Sequence, residues 1–186
     1  ARLRREIRIL ASLQHPGIVP LLEAGVDEQG RPWYTMPKLP GRTLDEELAA
    51  YERGDKAQRA KLLRPMLAVC QAVAHAHGQG FVHRDLKPAN VIVGGQGQTF
   101  VLDWGLARWA DEPEDAPVEL LEASPSVTES NDLTAYGQVL GTPRYMSPEQ
   151  GRGELAERPS DVYALGAMLY AITYGRALPS EDGNLP

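Results

Sequence analysis

A short polar run in the middle of the chain contains the residue types that a phosphoryl transfer requires. Residues 83–90 read HRDLKPAN, and a second carboxylate, Asp103, follows Asp85 by 18 positions at the end of an apolar, strand-like run. Asp85 can accept the proton of a hydroxyl group, and Lys87 can neutralise a moving phosphate. Asn90 and Asp103 carry oxygen ligands of the kind that magnesium binds. The four side chains together predict a site for phosphoryl transfer.

These motifs resemble the signature of protein kinases of the bacterial serine/threonine type, in which a catalytic loop H-R-D-L-x-x-x-N precedes a metal loop D-F-G. The chain matches the first motif at every fixed position, and it matches the second with Trp104 in place of phenylalanine. Aspartate and asparagine are also common in ordinary turns, so the loop alone would be weak evidence. The second motif at the expected distance, with two β-like runs between, makes the resemblance specific.

The resemblance implies an α+β, bilobal protein-kinase-like fold and transfer of the ATP γ-phosphoryl group to serine or threonine hydroxyls of proteins, in signalling. Asp85 is then the catalytic base, and Lys87 is the cation beside the phosphoryl group. Asn90 and Asp103 are the catalytic residues that hold magnesium. Thr142 would bridge Asp85 and Lys87. The implied cofactors are ATP and Mg²⁺.

Further residues are assigned to the nucleotide site by the same resemblance. Glu6 lies in an amphipathic segment that resembles the family's αC helix, whose glutamate pairs a phosphate-anchoring lysine. From periodicity alone, Glu6 fits a solvated helix position equally well. Met36 falls at the gatekeeper position, and a proline in the hinge is compatible with adenine binding because its carbonyl is retained. The residues assigned to the nucleotide are Glu6, Met36, Pro37, Leu39, Lys87, Asn90, Ile92 and Asp103.

The elements that must position these side chains follow from hydrophobic periodicity. The predicted helices cover residues 2–12, 41–48, 58–77 and 162–174, and the predicted strands cover 18–26, 33–36, 91–93 and 99–102. Turns are predicted at 27–30 and 94–97. The last helix is apolar nearly all round, which predicts that it is buried inside a larger body. We expect Ser160 to cap it, and by resemblance to the family's αF helix we expect Asp161 to hold the catalytic loop.

Residues 111–134 are acidic and hydroxyl-rich, a composition typical of a solvated loop. They precede the string GTPRYMSPE at 141–149, which resembles the substrate-docking loop and A-P-E end of a kinase activation segment, with Ser147 for alanine. The Gln150 that follows is frequent in bacterial kinases of this type. An arginine before the catalytic base, Arg84, needs an anionic partner, so a phosphate on the loop is expected to pair with it. The candidate acceptors are Thr128, Ser130 and Thr134, and the alternative is a permanent pairing with Glu129 or Asp132.

Composition limits the other function classes. Of 186 residues, 42% are hydrophobic and 24% are charged, as in ordinary globular proteins, and the net charge of −6 argues against nucleic-acid binding. The single cysteine, Cys70, excludes an internal disulfide and fits a buried apolar stripe. Metal binding by His75, His77 and His83 is not expected, because helix residues two apart do not face each other. The most apolar run is shorter than the ~20 residues of a membrane span. We expect a cytoplasmic kinase domain, and the alternative is that this domain belongs to a membrane-anchored full-length protein.

The resemblance also predicts that the chain is the middle of a kinase domain. Residues 1–36 would run from the αC helix to the fifth strand of the small lobe, 37–41 would be the hinge, and 42–186 would be the large lobe through the αF helix. The glycine-rich loop and the lysine would lie upstream, so this fragment alone is expected to be inactive. The expected partners are ATP, protein substrates and a second copy for trans-autophosphorylation. The alternatives are a pseudokinase without turnover and a small-molecule phosphotransferase, which would lack the docking string.

Overall fold

The structure is a computed structural model that describes residues 2–51, 56–110 and 143–178. Its helices are α1 (Arg2–Ser12), α2 (Leu44–Tyr51), α3 (Lys56–Ala60), α4 (Leu63–Gly78), α5 (Pro148–Gly151) and α6 (Arg158–Tyr174). Its strands are β1 (Glu23–Val26), β2 (Pro32–Thr35), β3 (Arg42–Thr43), β4 (Phe81–Val82), β5 (Val91–Val93), β6 (Thr99–Val101) and β7 (Arg108–Trp109). The strands pair antiparallel as β1-β2, β3-β5-β6 and β4-β7. The predicted α+β class is confirmed.

Helix α1 has the predicted bounds and buries one face. Ile9, Leu10 and Leu13 are buried, whereas Leu3 and Ile7 are only half-buried. The buried face of a helix is about 100° wide, so it includes both Ile9 and Leu10. This face packs against the short 3₁₀ turn that follows the second carboxylate, which brings α1 to the candidate site.

The strand predicted over residues 18–26 begins only at Glu23, so its first half is wrong. Pro20 has no N–H to donate to a sheet, which explains why the ladder does not start earlier. Ile18 and Val19 are buried nevertheless, and Ile18 makes a parallel bridge with Val101 of β6. This bridge joins the β1-β2 hairpin to the sheet that carries the site.

The two predicted turns are confirmed. At residues 27–30, the Asp27 carboxylate accepts the backbone N–H groups of Gln29 and Arg31 at 3.0 and 2.9 Å. At residues 94–97, which connect β5 to β6, Gly97 has a φ of +82°, a conformation that glycine adopts without strain.

The helix predicted to open within residues 41–48 begins at Leu44, because the two residues before it belong to β3. The Thr43 hydroxyl accepts an N–H group of the first helical turn at 3.2 Å and so caps α2. Gly41 is required before this strand: its φ is +125°, and a Cβ atom there would lie 2.3 Å from the carbonyl oxygen of Val93.

The single long helix predicted over residues 58–77 is wrong, because the structure has two helices, α3 and α4, with a break near Lys61. Pro65 explains the break: it has no N–H for the Lys61 carbonyl, and its ring would clash with that carbonyl in a continuous helix. Pro65 instead lies in the first turn of α4, where a missing N–H is tolerated.

The buried face of α4 also differs from the apolar stripe that periodicity predicted, which included Leu63 and Leu67. Leu63 and Leu67 are exposed, whereas the buried side chains are Pro65, Met66, Val69, Ala72, Val73 and Ala76. Cys70 is half-buried, and burial raises the pKa of its thiol. A raised pKa leaves little reactive thiolate, which agrees with the predicted packing role.

Helix α6 packs on α3, α4 and the 3₁₀ turn at 143–145. Val162, Leu169 and Tyr174 are 59%, 43% and 61% exposed, so the described residues cover only part of the helix, and its burial inside a larger body stays a prediction. Of the helices in these ranges, none is both long and apolar enough to cross a bilayer.

The prediction that Ser160 caps α6 is also wrong. The helix begins two residues earlier, at Arg158, because Pro159 fits its first turn. Ser160 therefore lies inside that turn, where its hydroxyl accepts the backbone N–H of Glu157 at 3.3 Å.

Candidate active site

Residues 83–90 form a loop between β4 and β5 in which three polar side chains meet. Lys87 Nζ lies 2.7 Å from Asp85 Oδ2, and Asn90 Nδ2 donates to the same oxygen at 3.1 Å. Asn90 Nδ2 also donates to the Asp85 carbonyl at 2.8 Å. Among the described residues, none donates to the second carboxylate oxygen, Oδ1. The structure thus brings the predicted base, cation and metal ligand together and leaves one oxygen of the base for a substrate.

The backbone of this loop is held by α6. Asp161, which is 1% exposed, accepts the backbone N–H groups of His83 and Arg84 with its two oxygens, each at 2.8 Å. His77 of α4 bonds to the same carboxylate at 2.7 Å. Arg84 has a φ of +72°, a left-handed conformation that costs a non-glycine residue about 1–2 kcal/mol. The prediction that Asp161 fixes the catalytic loop is confirmed.

His83 connects the catalytic loop to the metal loop and is fully buried. Its Nε2 lies 3.0 Å from the Leu102 carbonyl, and its Nδ1 accepts the N–H of Asp85 at 3.3 Å. These partners assign the ring hydrogen to Nε2. The imidazole packs on the indole of Trp104, with ring centroids 4.6 Å apart. Trp104 is fully buried and packs against α1.

The histidines that precede the loop have partners within the protein. His75 stacks on His15, with ring centroids 5.1 Å apart. Burial, and then the charge of His75, lower the pKa of His15. Over the described ranges, no group of three or more His, Cys, Asp or Glu side chains is placed to hold a metal ion.

Asp103 lies at the open end of the β5-β6 hairpin, beside Asn90. Val91 pairs with Val101, and Leu102 donates its N–H to the Asn90 carbonyl at 2.8 Å. The two segments that carry Asn90 and Asp103 therefore leave the sheet side by side. Asp103 itself has a φ of +57° and an exposed side chain.

The atoms offered at this end of the hairpin fit magnesium. Asn90 uses its side-chain nitrogen Nδ2 for the two bonds to Asp85, and no described residue bonds to its side-chain oxygen Oδ1, which can therefore face a cation. Asp103 adds an exposed carboxylate next to it. Mg²⁺ is usually held by one or two such oxygen ligands together with water and phosphate. Their role as metal ligands is a prediction that this arrangement supports.

Glu6 is bonded to a residue that the sequence analysis missed, Tyr34 of β2. The phenolic O–H donates to Glu6 Oε1 at 2.9 Å. Burial, the hydrogen bond to Glu6 and the charges of Glu6 and Asp103 raise the pKa of Tyr34 to about 12. The strand alternation was the available signal, because it places Tyr34 on the inner face and its neighbours Trp33 and Thr35 outside.

The residues predicted to bind adenine lie along the segment between β2 and β3 and on β5. Met36 is 49% exposed, and Pro37 and Leu39 are half-buried. The segment continues into β3, where Thr43 pairs with Ile92 of β5. The hinge segment thus leads into the edge strand β3, which pairs with the central strand β5 that carries Ile92. Their contact with adenine stays a prediction.

Helix α5 contributes a second residue that the sequence analysis did not assign to the site, Gln150. Its Oε1 accepts the backbone N–H of Ser147 at 3.2 Å, while the Ser147 hydroxyl accepts the N–H of Gln150 at 3.4 Å, which forms a capping box. Its Nε2 donates to the carbonyl of Arg84 at 2.8 Å. Glu149 accepts the Ser160 hydroxyl at 2.6 Å, a bond that lowers the pKa of Glu149. Helix α5 is therefore tied to both α6 and the catalytic loop.

The predictions about the acidic segment fall outside the described residues. They concern the phosphate acceptors, the alternative carboxylates and the bridging threonine, namely Thr128, Ser130, Thr134, Glu129, Asp132 and Thr142.

Known proteins are similar to this chain over nearly its whole length. Residues 1–185 match the protein kinase domain family. The chain is 38% identical to the serine/threonine-protein kinase PknD of Protochlamydia amoebophila, over 92% of this chain and 18% of that protein. It is 38% identical to the DNA damage-responsive serine/threonine-protein kinase RqkA of Deinococcus radiodurans, over 94% and 24%. A probable serine/threonine-protein kinase of Corynebacterium efficiens is 35% identical, over 100% and 25%.

The chain spans about a fifth to a quarter of the length of these relatives. Its catalytic loop, its metal loop and the match over residues 1–185 all indicate the same family. The chain belongs to the protein kinase domain family.

Proposed function

We propose that the protein is a serine/threonine protein kinase that transfers the γ-phosphoryl group of ATP to hydroxyl groups of protein substrates. The observation that carries the proposal is the cluster around Asp85, in which Lys87 and Asn90 share one carboxylate oxygen and no described residue donates to the other. The relatives' names, which are those of serine/threonine-protein kinases, support the same reaction.

Asp85 acts as the base in this proposal. Its Oδ1 orients the substrate hydroxyl toward the phosphorus and accepts the hydroxyl proton as the new P–O bond forms. The Lys87 ammonium, 2.7 Å from Asp85 Oδ2, lies where it can neutralise the phosphoryl oxygens. Because the transition state of phosphoryl transfer is loose, positioning and charge neutralisation account for most of the catalysis.

The remaining residues bind and orient the nucleotide. Mg²⁺, when bound by Asn90 and Asp103, supplies positive charge to the ATP phosphates. Glu6 would pair the phosphate-anchoring lysine, and Tyr34 holds the Glu6 carboxylate in place through the bond at 2.9 Å. The hinge segment would bind adenine through its backbone.

Other parts of the proposal rest on family resemblance. They are the division into a small lobe (1–36), a hinge (37–41) and a large lobe (42–186), a role in signalling, trans-autophosphorylation in a dimer, and activation by phosphorylation of the acidic segment. The short hairpin packed beside α1 and the larger helical part around α4 and α6 support the division into lobes.

The magnesium assignment has its own test in the full-length protein. Asp103→Asn is expected to lower label transfer from γ-labelled ATP by about 100-fold or more, because an amide carries no charge for the cation. Raising the magnesium concentration should restore little of it. The matched control is Asp45→Asn, which removes an exposed carboxylate on α2 and should leave transfer unchanged. Near-normal transfer by Asp103→Asn at ordinary magnesium concentrations would exclude Asp103 as a metal ligand.

A further inference from the structure

The peptide unit that joins Arg84 to Asp85 is held at both of its polar atoms. Its carbonyl oxygen accepts the Gln150 side-chain amide at 2.8 Å, and its N–H donates to His83 Nδ1 at 3.3 Å. The preceding N–H, that of Arg84, donates to Asp161. The left-handed φ of +72° at Arg84 lies between these anchors, so the conformation that presents the base depends on them.

We propose that Gln150 is a positioning residue for the catalytic base. Its Nε2–H group fixes the plane of the Arg84–Asp85 peptide from one side while Asp161 holds the loop from the other. The proposal rests on the proposed kinase function, and it adds a residue that acts through the backbone of Asp85 without touching the substrate.

The two ends of the Gln150 amide have separate tasks. The oxygen Oε1 completes the capping box of α5 by accepting from Ser147, and the nitrogen reaches the carbonyl of a residue 66 positions away. A cap alone needs only the oxygen, and glutamate is the other residue common at this position of a capping box. The nitrogen is therefore the part of the side chain that links α5 to the catalytic loop.

This link makes the geometry of the base depend on α5. The helix begins at Pro148, at the end of the string that resembles the substrate-docking loop, and Glu149 fixes it to α6 through the Ser160 hydroxyl at 2.6 Å. Displacement of α5 would remove the donor from the Arg84 carbonyl. We infer that a seated docking segment and a correctly oriented Asp85 occur together.

Gln150→Glu separates the two tasks in the full-length protein. The carboxylate keeps the acceptor for the α5 cap but removes the donor and places a negative charge beside the Arg84 carbonyl. We expect kcat to fall between about 10-fold and 100-fold, as for a misplaced catalytic group. The KM for ATP should change by less than about twofold, because nucleotide contacts are retained. Backbone amide exchange in residues 83–86, followed by mass spectrometry, should become faster.

Ser147→Ala is the matched variant, because it removes the cap hydroxyl and keeps the bond from Gln150 Nε2. It should lower the melting temperature at least as much as Gln150→Glu does, while its loss in kcat should be smaller by about tenfold or more. Equal losses of kcat in the two variants would show that Gln150 is only a helix cap and would overturn the proposal.

The proposal and the kinase function can fail separately. If the wild-type protein transfers phosphate and Gln150→Glu keeps its kcat, the positioning role is wrong. If the wild-type protein transfers no phosphate, the kinase function is wrong. The amide-exchange measurement still decides whether Gln150 holds the catalytic loop. Unchanged exchange at residues 83–86 in Gln150→Glu would overturn it, and faster exchange would support it.

Discussion

Asp85→Asn in the full-length protein is expected to lower phosphoryl transfer by about 10²–10⁴-fold, the usual contribution of a general base. The amide keeps the shape of the side chain and can still accept hydrogen bonds from Lys87 and Asn90, but it cannot take the proton of a substrate hydroxyl. Label transfer from γ-labelled ATP measures the loss.

The fold of this variant should survive, because Asp85 is only partly buried and its backbone is held by other residues. We expect a melting temperature within a few degrees of the wild-type value and unchanged ATP binding by calorimetry. Those controls would place the loss in the chemical step. A turnover close to that of the wild-type protein would show that Asp85 is not the base.

Trp104→Ala should have the largest effect on stability. The indole is fully buried between His83 and the apolar face of α1, so its removal leaves a cavity and is expected to cost about 3–5 kcal/mol. Phosphoryl transfer should fall as well, because we expect the same packing to align Glu6 with Asp103. Denaturant unfolding and label transfer on the full-length protein measure the two effects.

Trp104→Phe is the matched variant for this prediction. Phenylalanine retains most of the apolar packing and is the residue that the family's metal loop carries, so the effect should be small. The structure adds one contribution to the loss of stability in this variant. The indole N–H donates to the buried Val101 carbonyl at 3.3 Å, and losing that bond costs about 1 kcal/mol. Wild-type stability and turnover in Trp104→Ala would refute the packing role.

The parts of the site that sequence could predict are local. Asp85, Lys87 and Asn90 lie within six consecutive residues, and Asn90 is linked to Asp103 by a short hairpin, so little tertiary information is needed to bring them together. Gln150 and Tyr34 were missed because their contacts, with Arg84 and Glu6, join residues 66 and 28 positions apart. Only the packing of whole elements creates such pairs.

The errors in the fold have the same origin. Apolar periodicity over residues 58–77 outweighed Pro65, although a proline defines where a helix can begin. Composition also does not specify where a helix begins, so the predicted start of α6 at residue 162 was too late, and the structure begins the helix at Arg158. The strand predicted over residues 18–26 starts too early because the apolar pattern again outweighed a proline, Pro20.

The most direct test of the proposed function is the chemical identity of the product. The wild-type full-length protein should be incubated with γ-labelled ATP, magnesium and an unstructured protein substrate, and the labelled protein should then be hydrolysed to its amino acids. We predict label in phosphoserine or phosphothreonine and its loss in Asp85→Asn. Binding of ATP without any label transfer would identify a pseudokinase, and label found only on a small molecule would identify a different phosphotransferase; either result would contradict the proposed function.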